Sequence, residues 1–244
     1  MKAFIAVEGK TLYIARMTRS LFTLALLVSA FASPAYADEA SNPTHVVELF
    51  TSQGCSSCPP ANKFVGKFAE ENPDALVLSY GVSYWDYLGW KDTFGDPKFT
   101  QRQREYRDAF GASNIYTPQI ILGGSAHSPR YSKSDVESMA LPDNKVLIEA
   151  KRDGDWLYVE AENTPKGAIL DIVSFWPGEQ EVDVKRGENR GRTIKLTNVV
   201  ADVKAIDWNG QAAKINQPLQ EGMSYAFLVH HPETAKILEA AVLD

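Results

Sequence analysis

The segment HVVELFTSQGCSSCPPANKFVGKFAEE, residues 45–71, narrows the choice of fold more than any other part of the 244-residue chain. It opens on HVVELFT, a short apolar run rich in β-branched residues, which reads as a strand. It closes on PANKFVGKFAEEN, where Phe64, Val65 and Phe68 recur at helical spacing. Between them stand the only two cysteines of the chain, Cys55 and Cys58, followed by Pro59 and Pro60. Proline suits the first turn of a helix, where N–H groups have no intrahelical partner. The sequence therefore predicts a strand that hands over to a helix, with Cys55 at or just before the helix N-terminus.

What the cysteines can do depends on where the chain works. The stretch RMTRSLFTLALLVSAFASPAYADEA carries Arg16 and Arg19 ahead of an 11-residue apolar run, Leu21 to Phe31, and then Ala35-Tyr36-Ala37. This pattern reads as a secretory signal over residues 1–37, with Met17 as an alternative start. The apolar run is too short to span a bilayer, so no stable membrane span is expected after signal removal. The expected location is periplasmic or secreted, an oxidising space. From Asp38 onward the chain has 21 basic against 30 acidic side chains. Such an acidic balance excludes nucleic acid and anionic membrane surfaces as natural partners.

Three chemistries suit a pair of thiols two residues apart. A structural staple is disfavoured, because so short a loop stabilises little. A metal site needs more than two ligands. The four histidines are His45, His127, His230 and His231, and no spacing matches a zinc site. His230 and His231, adjacent in a strand, would face opposite ways, and only His127 is a candidate neighbour of the cysteines. A soft ion such as Cu(I), held by Cys55, Cys58 and one further ligand, stays as an alternative. A redox pair fits best. Unpaired N–H groups at a helix start favour a thiolate, and such cysteines commonly have depressed pKa values. Cys55 would attack and Cys58 would resolve the mixed disulfide. Ser56 and Ser57 between them bring no charge, so the helix terminus is expected to dominate. The phosphate-loop, zinc-protease and hydrolase-elbow motifs are all absent, and neither a cofactor nor a resident metal is expected.

Other stretches supply candidate partners. In NIYTPQIILGG, Thr117 and Pro118 directly precede a strand. Thioredoxin-like folds hold a cis-proline at this place, packed against the disulfide and offering backbone groups to a peptide. A cis peptide bond is essentially a proline feature; an ordinary strand-starting proline is the alternative. Glu48 interrupts the apolar VVELF, where a buried strand would not accept a charge. Thioredoxins place a carboxylate on the equivalent strand to help move the resolving thiol's proton, and Glu48 is a candidate for that role, a solvated edge residue being the alternative. SYWDYLGWKDTFGDP concentrates Tyr84, Trp85, Tyr87, Leu88 and Trp90. It reads as a loop with buried rings or as an aromatic wall shaping a substrate groove, with Asp86 and Asp92 as loop caps. KRGENRGR, Lys185 to Arg192, reads as a solvated hairpin tip, with a docking loop as the alternative.

The pattern changes near Lys145. Before it, strands alternate with helices: ALVLSYGV, DPKFTQRQREYRDAFG ending at Gly111, PQIILGG, and SKSDVESMAL capped by Ser132 or Ser134. That order implies a mixed sheet with covering helices. After it, strands dominate: KVLIEAKRDGDWLYVEAEN around Asp153-Gly154, then AILDIVSFW, EVDVKR, RTIKLTNVVADVKAIDW and SYAFLVHH. Their spacing suggests a sandwich. ETAKILEAAVLD fits helix or strand. The expected architecture is an α/β thioredoxin-like domain over 43–143 and an all-β sandwich-like domain over 144–244, joined at LPDN, Leu141 to Asn144.

Taken together, VVELFTSQGCSSCPPAN, YWDYLGWKD, RQREYRDAFGASNIYTPQ and VKRGENRGRTIKLTNVV resemble the family known as domain of unknown function 1223, secreted bacterial proteins described as thioredoxin-like. The resemblance covers nearly all of the chain after Asp38. It implies a thioredoxin-like fold with the C-x-x-C at Cys55 and Cys58, and it supplies no known reaction. One departure is Gly81-Val82-Ser83, where His-Val-Asp is expected in many members. The resulting expectation is an exported thiol–disulfide oxidoreductase acting on exported protein thiols or disulfides. Cys55, Cys58, Pro118 and Glu48 would be catalytic, and Thr117, Trp85, Tyr87 and Trp90 would contact substrate. A copper-binding or delivery protein and a non-catalytic binding module are the alternatives.

Overall fold

The computed structural model describes residues 40–143, 146–153, 156–208, 213–215 and 220–244. The expected signal segment with Met17, Asn144 of the expected junction and Gly154 of the expected hairpin turn lie outside them. Strand β1 (His45–Thr51) leads through the cysteine loop into α1 (Pro59–Glu71), and β2 (Ala75–Gly81) returns parallel to β1. A 3₁₀ turn (Asp86–Leu88) and α2 (Pro97–Ala109) follow, then β3 (Gln119–Leu122), β4 (Ala126–Ser128) and α3 (Lys133–Glu137). The helix starts obey local chemistry. Asp96 caps α2 by accepting from the Lys98 N–H, with Pro97 in the first turn. Ser132 and Asp135 form a reciprocal capping box on α3.

The second half is built of β5 (Leu147–Asp153), β6 (Trp156–Glu162), β7 (Ile169–Asp183), β8 (Thr193–Asp207), β9 (Ala213–Ile215), β10 (Ser224–His230) and β11 (Ile237–Leu243). ETAKILEAAVLD thus resolves as a strand, since β11 pairs along β10. AILDIVSFW and EVDVKR belong to one long strand, irregular between Trp176 and Glu179.

The expected pair of domains, thioredoxin-like and then sandwich-like, is not what these elements build. The protein is mostly β. One mixed sheet runs in the order β11-β10-β7-β8-β2-β1-β3-β4, drawing strands from both halves, and only three α-helices occur among the described residues. The halves join where β8 lies parallel to β2 at Ser79 and Val199. Side chains extend this short pairing: the Ser79 hydroxyl donates to the Thr197 carbonyl (2.7 Å), and the Asn198 amide donates to the Val77 carbonyl (2.9 Å). Asn198 has a left-handed backbone (φ 48°), a conformation that Asn tolerates better than most residues.

Strand alternation assigns the two faces of this sheet. Val47 and Leu49 pack with Val77 against Ala61, Val65 and Phe68 of α1. Val46 and Phe50 point the other way, toward Tyr80 and toward Phe99 and Tyr106 of α2. Farther along, a small sheet of β5, β6 and β9 covers Leu170, Ile172, Tyr225 and Phe227.

A buried charge cluster sits under α2. Arg102 donates to Glu48 through Nε (2.9 Å) and to Asp171 through Nη1, and Tyr106 donates its hydroxyl to Glu48. The guanidinium also lies over the rings of Tyr80 and Tyr106. His230 places Nε2 2.9 Å from the Asp171 carboxylate, and its Nδ1 faces the Ala235 carbonyl. Burial works to raise the Asp171 pKa, but Arg102 and His230 outweigh it and hold the carboxyl well below its ordinary value.

Removing one member of such a cluster strands the others without water. Arg102→Ala is expected to lower the unfolding free energy by about 3–5 kcal/mol, read from urea denaturation at neutral pH. Because Asp171 titrates lower when folded, the folded chain binds fewer protons there than the unfolded one. Its stabilisation is complete above the unfolded value of about 4 and is lost as the pH falls below it. Asp171→Asn should accordingly flatten the acid limb of the stability–pH curve.

Candidate dithiol site

Cys55 and Cys58 are both free thiols, with only 2% and 0% of their surfaces exposed. The loop that holds them is a tight series of turns: the Cys55 N–H donates to the Ser52 carbonyl and the Cys58 N–H to the Cys55 carbonyl, both at 3.2 Å. Cys58 is the N-cap of α1, and its carbonyl accepts from Ala61 and Asn62. Pro59 and Pro60 occupy the first turn and have no N–H to give.

The donors that reach the Cys55 sulfur therefore come chiefly from elsewhere. The Cys58 thiol has the largest effect; burial opposes it; the Ser57 and Thr117 hydroxyls and the Ser57 N–H reinforce it. Ser57 Oγ lies 3.2 Å from the sulfur and Thr117 Oγ1 3.3 Å. Trp85 donates its indole N–H to Thr117 Oγ1 at 2.6 Å, which leaves the hydroxyl proton of Thr117 free to point at sulfur. Together these hold the Cys55 pKa down to about 5. Cys58 moves the opposite way, first because it is buried and then because its proton is bonded to Cys55, while the Thr51 hydroxyl pulls it back. Side-chain and loop donors thus act on the sulfur beside the helix terminus.

Two distant segments fix the cysteine loop. From the aromatic loop, Asp92 accepts the Gln53 N–H (2.7 Å), and Trp90 and Thr93 bond the Gln53 side chain. Burial raises the Asp92 pKa against the pull of the Gln53 and Phe94 N–H groups. From the tip of the β7–β8 hairpin, Asn189 is fully buried and donates its amide to the carbonyls of Gln53 (2.9 Å) and Cys55 (2.8 Å). Glu188 accepts the Ser56 N–H at 3.1 Å. The tip keeps its basic side chains exposed, as expected, while Asn189 and Glu188 bracket the cysteine loop.

Cys55, Cys58, Thr117, Pro118 and Trp85 come together, and the Thr117–Pro118 peptide is cis. Tyr87 stacks on Trp85 with 76% of its surface exposed. Trp90 acts on the loop through Gln53 rather than lining a groove beside the sulfur. Glu48 is buried, but on the α2 face of β1, whereas Thr51 and Cys58 lie on the α1 side. The sheet therefore separates Glu48 from Cys58, and the proposed proton relay is not formed. His127 pairs with the Tyr116 hydroxyl and stacks on Phe110. Among the described residues no group of three His, Cys, Asp or Glu side chains stands where a metal ion would be held. Gln53, Glu188 and Asn189 were not singled out by the sequence as site residues; nothing local marks them, because each acts across a long separation or through its backbone, whereas Ser57, two residues from Cys55, was read only as bringing no charge.

A pocket of about 640 Å³ is lined by Ser57 and Thr117, whose hydroxyls reach the Cys55 sulfur, and by Phe64, Pro118, Arg130 and Tyr131 among others. At the departure noted above, a Cβ on Gly81 would stand 2.7 Å from the Phe94 carbonyl oxygen. A histidine there would displace the loop that carries Asp92.

Fold and site together define a mixed-sheet β protein with a paired-thiol loop at a strand–helix junction. The chain belongs to the family described as protein of unknown function (DUF1223), which matches residues 46–229. No curated protein matches it. The crystal structure of protein AGR_C_4864 from Agrobacterium tumefaciens is similar, with 31% identity and a TM-score of 0.65 over 83% of this chain and 95% of that one. HBP35 of Porphyromonas gingivalis resembles it in fold alone, at 14% identity and a TM-score of 0.54 over 82% and 74% of the two chains. Among the described residues no helix is long and apolar enough to cross a membrane.

A hydrogen bond to a charged group is worth about 1.5–3 kcal/mol, and one pKa unit is about 1.4 kcal/mol. Thr117→Val is thus expected to raise the Cys55 pKa by about one unit, measured by thiolate absorbance or alkylation rate against pH.

Proposed function

We propose that this protein is an exported thiol–disulfide oxidoreductase acting on protein thiols or disulfides. One observation carries the reading: an acidic thiol, Cys55, has its sulfur bonded by Cys58, Ser57 and Thr117 and lies beside a cis-proline. Export rests on the leader-like stretch before Asp38.

In the dithiol form the Cys55 thiolate attacks one sulfur of a substrate disulfide. The substrate S–S bond breaks, the distal sulfur leaves as a thiolate and takes up a proton, and a mixed disulfide remains on Cys55. Cys58 loses its proton and attacks the Cys55 sulfur, releasing the second substrate thiol. Two electrons pass to the substrate, and Cys55–Cys58 becomes a disulfide. The reverse sequence oxidises a substrate dithiol. The donors around Cys55 favour the dithiol form, which makes the disulfide a stronger oxidant than a pair of ordinary thiols.

The test is exchange between the reduced protein and a disulfide-linked peptide. Wild type should react, with a rate that climbs as the pH passes about 5 and then levels. Cys55→Ser should be inert, and Cys58→Ala should accumulate the mixed disulfide. Undiminished exchange by Cys55→Ser would end this reading.

A further inference from the structure

We propose that the Cys55 site selects cysteine-bearing polypeptide segments rich in Asp and Glu, and that the hairpin tip steers them. This inference rests on the exchange activity proposed above and adds its substrate class.

The chain as a whole is acidic, with a formal net charge of −6. The hairpin tip that braces the Cys55 loop has the opposite bias. Within the eight residues of the tip stand Lys185, Arg186, Arg190 and Arg192, all exposed. Arg192 turns to the Asn189 side chain and Lys185 pairs with Asp183. Arg186 and Arg190 have no ion-pair partner among the described residues. Arg130 is also exposed and lines the pocket that Ser57 and Pro118 share.

The nearby carboxylates are already engaged. Glu188 accepts the Ser56 N–H, Asp86 the Asp92 N–H, and Asp92 the N–H groups of Gln53 and Phe94. Glu188 keeps its charge at the tip, but the four basic side chains there outnumber it. They do not ride on a loose loop, because Asn189 fastens the tip to the Cys55 carbonyl. Gly187 adds to the fit: a Cβ there would stand 3.3 Å from the Trp90 Cβ, so the tip lies directly on the aromatic loop. Guanidinium groups bind carboxylates bidentately, and a fixed basic rim raises the encounter rate of acidic partners. The Phe64, Pro118 and Tyr131 surfaces of the pocket offer an apolar seat for a neighbouring side chain.

The experiment compares two disulfide-linked peptides of identical sequence except for flanks of Asp and Glu or of Lys, reacted with the reduced full-length protein at low and high salt. Neutral hydroxyethyl disulfide reports the chemistry alone. The acidic peptide should react about tenfold faster or more at low salt, and the gap should close as salt is added. In the Arg186→Glu/Arg190→Glu variant the order of the two peptides should reverse. Equal rates in wild type, or a preference that survives both salt and charge reversal, would overturn the substrate class while leaving exchange intact. Failure of hydroxyethyl disulfide to react would remove the exchange reading itself, and this inference with it.

Discussion

The short parallel contact of β8 with β2 is the join on which the rest of the structure depends. Its backbone pairing is a single register point, Ser79 against Val199, supported by side-chain hydrogen bonds from Ser79 and Asn198. Through it, eight strands from both halves of the chain become one sheet. It also aims the far end of the β7–β8 hairpin at the cysteine loop. Asn189 then reaches the carbonyls of Gln53 and Cys55, groups more than a hundred residues away in sequence.

The site works by giving two like thiols unlike surroundings. The same hydrogen bond that lowers Cys55 raises Cys58, and burial of Cys58 widens the separation. Groups with acidities driven apart can take different roles in one reaction. The Thr117 hydroxyl is oriented for this by Trp85, so an aromatic residue acts on the sulfur through one intervening hydroxyl. On the opposite face of the sheet, Glu48, Arg102, Asp171 and His230 form a separate charged cluster that holds α2 to the strands. It serves the fold and does not touch the thiols.

Local structure was largely legible. HVVELFT is a strand, PPANKFVGKFAEE a helix, and Ser132 a cap with its capping box. Each is decided by residues within a few positions of one another. The assembly of these pieces was not legible. Alternating apolar residues report that a strand has a buried face, but not which strand lies beside it. The change in pattern near Lys145 therefore suggested a domain boundary, although β7, β8, β10 and β11 extend the sheet begun by β1 to β4.

Glu48 and Asn189 show the same limit at the site. A carboxylate in an apolar run announces burial, yet strand alternation turns Glu48 toward Arg102 and away from Cys58. Asn189 lies in a polar, glycine-punctuated tip that reads as solvated, and it becomes fully buried by meeting another loop. The sequence by itself determined the thiol pair at a strand–helix junction and the Thr-Pro step before β3, because short-range spacing and backbone chemistry specify both. Only the tertiary structure decided that Thr117 bonds the Cys55 sulfur and that Asn189 and Asp92 brace the loop, because those contacts join residues that chain order keeps far apart.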